Sequence, residues 1–211
     1  MTIVPFALQA SVGCPRPLSL ALAAAAELRP ELDEAAVDDA LAVLRDTMAP
    51  HVHERPEDQL AAVAALAGTF ERRGRSAAVD DLLPDAVLDR RRGHAVMVAV
   101  LVGEAAHRAG LPVGLIGDGL DLLVAHPACE AALVVDVRRA EVRLAAEPEL
   151  RWRCGHQVAF LALRELLDAA LRTGDLQSAL AVARLRLGLP LDERTKGAAR
   201  DELAALRARL N

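Results

Sequence analysis

Residues 95–102 read Ala-Val-Met-Val-Ala-Val-Leu-Val, two helical turns without a single polar side chain. The run is far shorter than the roughly 20 apolar residues that cross a bilayer. A helix that is apolar all round must therefore be enclosed by other protein. This one requirement limits the fold to arrangements that pack on every side of a central element. His94 precedes the run and Gly110-Leu111-Pro112 breaks it, so a helix is predicted from about 94 to 109.

The enclosing material has to be aliphatic, because 53% of the residues are hydrophobic and only 2% aromatic. Alanine and leucine on this scale favour helices, and the pattern before residue 94 is helical. "PLSLALAAAAEL" (17–28) runs up to Pro30. Asp33 is placed to cap a second helix, with Val37, Leu41, Leu44 and Met48 on one face. Pro56 opens a third with acids in its first turn. Leu60, Val63, Ala67 and Phe70 form its stripe, and Gly74 is read as its end. A short helix is expected within 80–91.

After the central helix the period changes. Segments 111–117, 121–127, 131–137 and 140–146 are short, rich in Val and Leu, and bounded by turn residues, so they read as strands. Helices followed by closely spaced strands predict an α+β fold, with the buried helix lying on an antiparallel sheet built from 112–145. From Gly155 the chain is helical again. Leu163, Leu166, Leu167, Leu176, Leu180 and Leu187 recur at helical spacing and predict an antiparallel helix pair docked on the core. Leu166, Leu167, Gly174, Ala179 and Pro190 fall close to tetratricopeptide spacing. One such unit cannot stack into a solenoid, though it could offer a peptide groove. The expected division is 1–153 for a helix-plus-sheet domain and 154–211 for the helical tail.

Charge narrows the partners. A formal net charge of −5 argues against nucleic acid, which needs a cationic face, and one Trp with no Tyr leaves little to stack on bases. Three cysteines, an odd number without a C-x-x-C pair, argue against a disulfide framework and suit a reducing cytoplasm. Residues 1–14 lack the basic start of an export signal and carry Pro5 within the apolar run. A cytoplasmic protein with no membrane span is the expectation. "GLIGDG" lacks the strand, glycine loop and helix order of a dinucleotide site. His51 and His53 have no third ligand, and Cys129 beside His126 has no orienting acid in the sequence. Neither a cofactor nor a metal is expected.

The block "LLPDAVLDRRRGHAVMVAVLVGEAAHRAGLPVGLIG" (82–117) carries a resemblance. It is similar to the SirB-type bacterial proteins, in which a "VL-x-RR-x-G" turn enters a buried helix that ends in "RxGLP" and a strand. Those proteins join a transglutaminase-like domain to a tetratricopeptide-like tail. The acidic helix before the block and "RTGDLQSALAVARLRLGLP" after it stand in the same order, so the likeness spans about 17–190. In active relatives a cysteine near the start of the buried helix attacks an acyl group. A histidine on a following strand is its base, and an aspartate on the next strand orients that histidine.

The resemblance places these three roles on Met97, Asp121 and Asp136. A thioether has no proton to lose, and an aspartate cannot build a thiolate–imidazolium pair. Only Asp136 keeps its type. The plain readings are a core methionine, a hairpin aspartate paired with an arginine, and a solvated turn aspartate ahead of Arg138. His94, at the start of the helix, is expected to cap it. The implied function is a catalytically inactive transglutaminase-like scaffold that binds a protein or peptide. The alternative is a cysteine-type amidase or protease-like hydrolase using a displaced thiol such as Cys129 or Cys154.

Overall fold

The computed structural model describes residues 3–74, 77–118, 121–129, 132–145 and 151–209. Its N-terminal half contains α1 (Phe6–Ala10), α2 (Pro17–Leu28), α3 (Glu34–Met48), α4 (Pro56–Gly68) and α5 (Pro84–Arg90), with a short strand β1 (Glu71–Arg73) between the last two. Asp33 caps α3 by accepting from the N–H groups of Ala35 and Ala36. Pro56 opens α4, where its missing N–H costs no helical bond. Strand β2 (Arg92–His94) then leads directly into α6 (Ala95–Ala109).

Helix α6 is the apolar helix, and every residue from Ala95 to Val102 is buried. It is enclosed by α3 and α4, by α2, α5 and α7 (Gly155–Thr173), and by the strands β3 (Gly114–Asp118) and β4 (Asp121–Ala125). The sheet continues through β5 (Leu133–Asp136) and β6 (Glu141–Leu144), and β7 (Arg151–Trp152) adds to the free edge of β3. Its order is β6-β5-β4-β3-β7, and every pair is antiparallel. The mixed helix-and-sheet class and the antiparallel sheet over 112–145 agree with the sequence reading.

The N-terminal half differs from it in two features. Helix α4 ends at Gly68 rather than Gly74. Gly68 and Thr69 are weak helix formers, and the hydroxyl of Thr69 donates back to the Leu66 carbonyl. The freed residues 71–73 pair in parallel with 92–94, a two-strand ladder that the periodicity could not announce. Phe70 still reaches the core, 2% exposed.

The tail forms α7, α8 (Leu176–Leu187) and α9 (Glu193–Ala208). It shares a second hydrophobic cluster with α1, α2 and the 3-10 turn at 79–82, in which Phe6, Leu20, Leu83 and Leu167 meet. Leu163, Leu166 and Leu167 are buried as expected, but Leu176, Leu180 and Leu187 are only half-buried. The inward face of α8 is Ala179, Val182 and Ala183 instead. Small side chains let α8 lie close between α7 and α9, and the longer leucines flank that contact. Leu167→Ala should accordingly cost about 2–5 kcal/mol, the range for emptying a buried leucine site. Leu180→Ala should cost less than half as much in the same urea melt. Equal losses would mean that α8 is turned about its axis.

Candidate functional site

The site is built where β2 turns into α6. The arginine-rich turn that leads there is tied inward. Asp81, 4% exposed, lies 3.4 Å from the Arg92 side chain and 3.9 Å from that of Arg90, and it accepts from the Ala78 N–H. Asp80 holds Arg29 and Arg90. Arg91 adopts a left-handed backbone (φ 48°) and lays its guanidinium over the Phe70 ring, 5.3 Å from the centroid. The basic cluster at 90–92 thus serves the fold.

His94 follows as the N-cap of α6. Its Nδ1 accepts from the Val96 N–H at 3.4 Å, the capping role expected of it. With Nδ1 as acceptor, the neutral ring carries its proton on Nε2, which faces Glu165 Oε2 at 3.8 Å. The residue is 8% exposed. Burial is the main cause that lowers its pKa; Arg138 and Arg172 push the same way, against Glu165 and Asp121. A positive charge here would also face the N-terminal end of a helix dipole.

Asp121 and Asp136 open into the same cleft as His94, Ala95 and Glu165, a space of about 140 Å³. Arg138 bridges the two aspartates: its backbone N–H donates to Asp136 Oδ1 at 3.0 Å, and its guanidinium reaches Asp121 Oδ2 at 2.9 Å. Asp136 also accepts from Arg143 Nε at 3.1 Å. Asp121 is the arginine-paired hairpin aspartate of the plain reading. Asp136 is not a solvated turn residue, because it is 8% exposed and satisfied by two arginines' donors. Strand pairing explains the meeting, since β4 and β5 run side by side with Val124 opposite Val135.

Met97 does not join them. Its side chain, 2% exposed, lines a separate apolar gap of about 20 Å³ with Leu20, Leu83 and Leu163. From α6, the cleft receives Ala95 and Val96. Glu165, which sequence reasoning missed, enters from α7 of the tail. Its only signal was a charged residue next to the apolar positions 163, 166 and 167, where Arg164 pairs with it at 2.6 Å.

The cysteines lie elsewhere. Cys14 and Cys154 border a different cleft. Cys129 has Glu57 Oε1 at 3.8 Å, the acid that the sequence around His126 lacked, but carboxylate rather than imidazole is what meets the sulfur. His126 is buried, accepts from the Ala128 N–H at 3.1 Å, and has its pKa lowered by burial, with Glu57 opposing. His51 pairs with Glu54 at 2.8 Å. Among the described residues no three His, Cys, Asp or Glu side chains gather as metal ligands, and no helix is long and apolar enough to cross a membrane.

No family model, curated protein or solved structure matches the chain. The site must therefore be read from its own chemistry. A neutral imidazole, three carboxylates and two arginines can recognise and orient a polar segment. No thiol or hydroxyl borders this cleft among its described lining residues.

The buried imidazole has a consequence for stability. Its folded pKa lies below the ordinary value of 6.5, so the native state binds this proton more weakly than the unfolded chain. The stability it contributes is present above about pH 6.5 and is lost as pH falls toward the folded value. His94→Asn keeps a capping oxygen without the titration. Urea midpoints measured between pH 8 and pH 5 should therefore fall less in the variant, with the remaining decline including the share of His126. Parallel pH curves for the two proteins would refute the assignment.

Proposed function

We propose that this chain is a non-catalytic scaffold of transglutaminase-like design, which binds a protein or peptide partner in the cytoplasm through the cleft at the start of α6 and the adjoining tail. The observation that carries the reading is the composition of that cleft. Asp121 and Asp136 stand where the resemblance puts base and orienting acid, yet Met97 is sealed into an apolar gap. Ala95, which borders the cleft from the first position of the helix, has no reactive group. Glu165 and Arg164 bring the tail into the same recess, so a partner seated there would touch both the sheet domain and the helical unit. Such a surface suits a short polar segment whose amide or charged groups pair with His94, Glu165 and Arg138.

The test pairs binding with activity. A partner captured from native extract and identified should be lost when Arg164→Glu and Asp121→Arg are introduced singly, with circular dichroism unchanged. The wild-type chain should show no turnover of amide or glutamine-donor substrates. Acyl transfer or hydrolysis abolished by changing one of Cys14, Cys129 or Cys154 would replace the scaffold with the displaced-thiol hydrolase. Capture that survives both cleft changes would remove the cleft from the reading.

A further inference from the structure

We propose that a second cleft, between the C-terminal half of α6, the start of α7 and residues 14–18, binds a medium-chain carboxylate. The space measures about 270 Å³, close to the lower end of small-molecule sites at about 300 Å³. It shares no lining residue with the cleft at His94. Leu18, Val100, Val113 and Leu115 give it an apolar floor. Arg153 supplies the charge.

Arg153 is half-buried and, among the described residues, has no ion-pair partner. The guanidinium lies flat on the backbone of Gly117, where an added Cβ would come within 2.1 Å of Nε. That nitrogen is buried and has no hydrogen-bond partner. Other arginines are paired with carboxylates: the exposed Arg16 with Glu104 at 3.0 Å, and the half-buried Arg108 with Glu104 at 2.9 Å and Arg143 with Asp136 at 3.1 Å. The rest of the half-buried guanidinium stands on the wall of an apolar cavity, and a planar cation so placed favours a planar anion, which its two terminal nitrogens can meet with parallel N–H donors.

The neighbouring charges set the class of anion. Glu104 borders the same cavity and is 8% exposed. Arg16 and Arg108 engage it, and Arg108 also holds Asp38 at 2.6 Å, so two cations meet two carboxylates and Arg153 is left to take one further negative charge, which opposes a dianion such as a phosphate monoester. A carboxylate with an aliphatic body satisfies both the floor and the guanidinium.

Cys14 and Cys154 border this cleft, whereas Cys129 does not, so alkylation reports occupancy directly. The experiment titrates octanoate into the full-length chain and follows iodoacetamide modification of each cysteine by mass spectrometry, with melting temperature in parallel. Octanoate should raise the melting temperature and slow modification of Cys14 and Cys154, leaving Cys129 unchanged. Octanamide and octyl phosphate should protect much less. Arg153→Gln should weaken octanoate by about tenfold or more, the scale of a lost charge-assisted bond, and Arg153→Lys should retain part of the affinity. Equal protection by octanamide, or by octanoate in Arg153→Gln, would overturn the carboxylate assignment. Protection of all three cysteines together would show nonspecific surfactant action and overturn the site. Should Arg153→Gln not fold, the comparison of octanoate with octanamide on the unaltered chain and on Arg153→Lys still decides.

Discussion

Alanine at position 155 is expected to destabilise the protein by about 3 kcal/mol, the upper end of the range for overpacking, and to loosen the N-terminal segment from the tail. Gly155 is the first residue of α7, and a Cβ added there would stand 2.0 Å from the Pro15 carbonyl oxygen and 2.9 Å from its carbon. Both obstacles are backbone, so no rotamer change relieves them. The same junction is tied by His156, whose Nε2 lies 2.9 Å from the Ala10 carbonyl at the end of α1. The urea midpoint should fall, and amide exchange should quicken across α1 and residues 11–16. Gly197→Ala provides the opposite case. Gly197 lies within α9 with nothing within 4 Å of its added Cβ, so the change should stabilise by about 0.5–1 kcal/mol. A Gly155→Ala protein as stable as wild type would mean that residues 15–16 do not pass over the start of α7.

A cysteine placed at residue 95 should be reactive, and one placed at residue 97 should be inert. Ala95 is the first residue of α6 and borders the cleft that holds Asp121 and Asp136. A thiol there sits at a helix N-terminus and opens on the cleft, which favours its thiolate over that of a thiol sealed in the core. Met97 faces Leu20, Leu83 and Leu163, where burial raises a thiol pKa. With Cys14, Cys129 and Cys154 replaced, Ala95→Cys should react with iodoacetamide on the order of tenfold faster than Met97→Cys at pH 7. Adding Asp121→His to Ala95→Cys should strengthen the contrast by bringing an imidazole into the same recess. A faster Met97→Cys would show that α6 presents residue 97 to the cleft and would restore the register drawn from the resemblance.

Much of the fold was legible because its signals are local. The apolar run at 95–102 demanded enclosure, and all eight residues are buried. Asp33, Pro56 and His94 stand at helix starts, where their side chains or rings suit the unpaired end of a helix. Strands β3 to β6 showed their place and residue type, although each is shorter than the segment read for it. The two-residue β7 and the β1–β2 ladder did not, since two or three residues carry no period. On α8, leucine spacing suggested the wrong inward face, because the close approach of α7 and α9 selects small residues over long ones.

The candidate site divides in the same way. The sequence by itself determined that a cap precedes a buried helix, that two aspartates follow on strands, and that no cysteine stands at the start of that helix. Only the tertiary structure decided which groups meet. Antiparallel pairing brought Asp121 and Asp136 to one recess and let Arg138 join them. The docking of α7 on α2 carried Glu165 to within 3.8 Å of His94 across 71 residues of chain. The rotation of α6 about its axis sent Met97 into the apolar gap and left Ala95 on the cleft. Caps, breaks and periods depend on neighbours a few residues away, so they are written along the chain. Helix rotation and long-range charge pairing depend on the packing of all the elements at once, and that information exists only when the whole chain has folded.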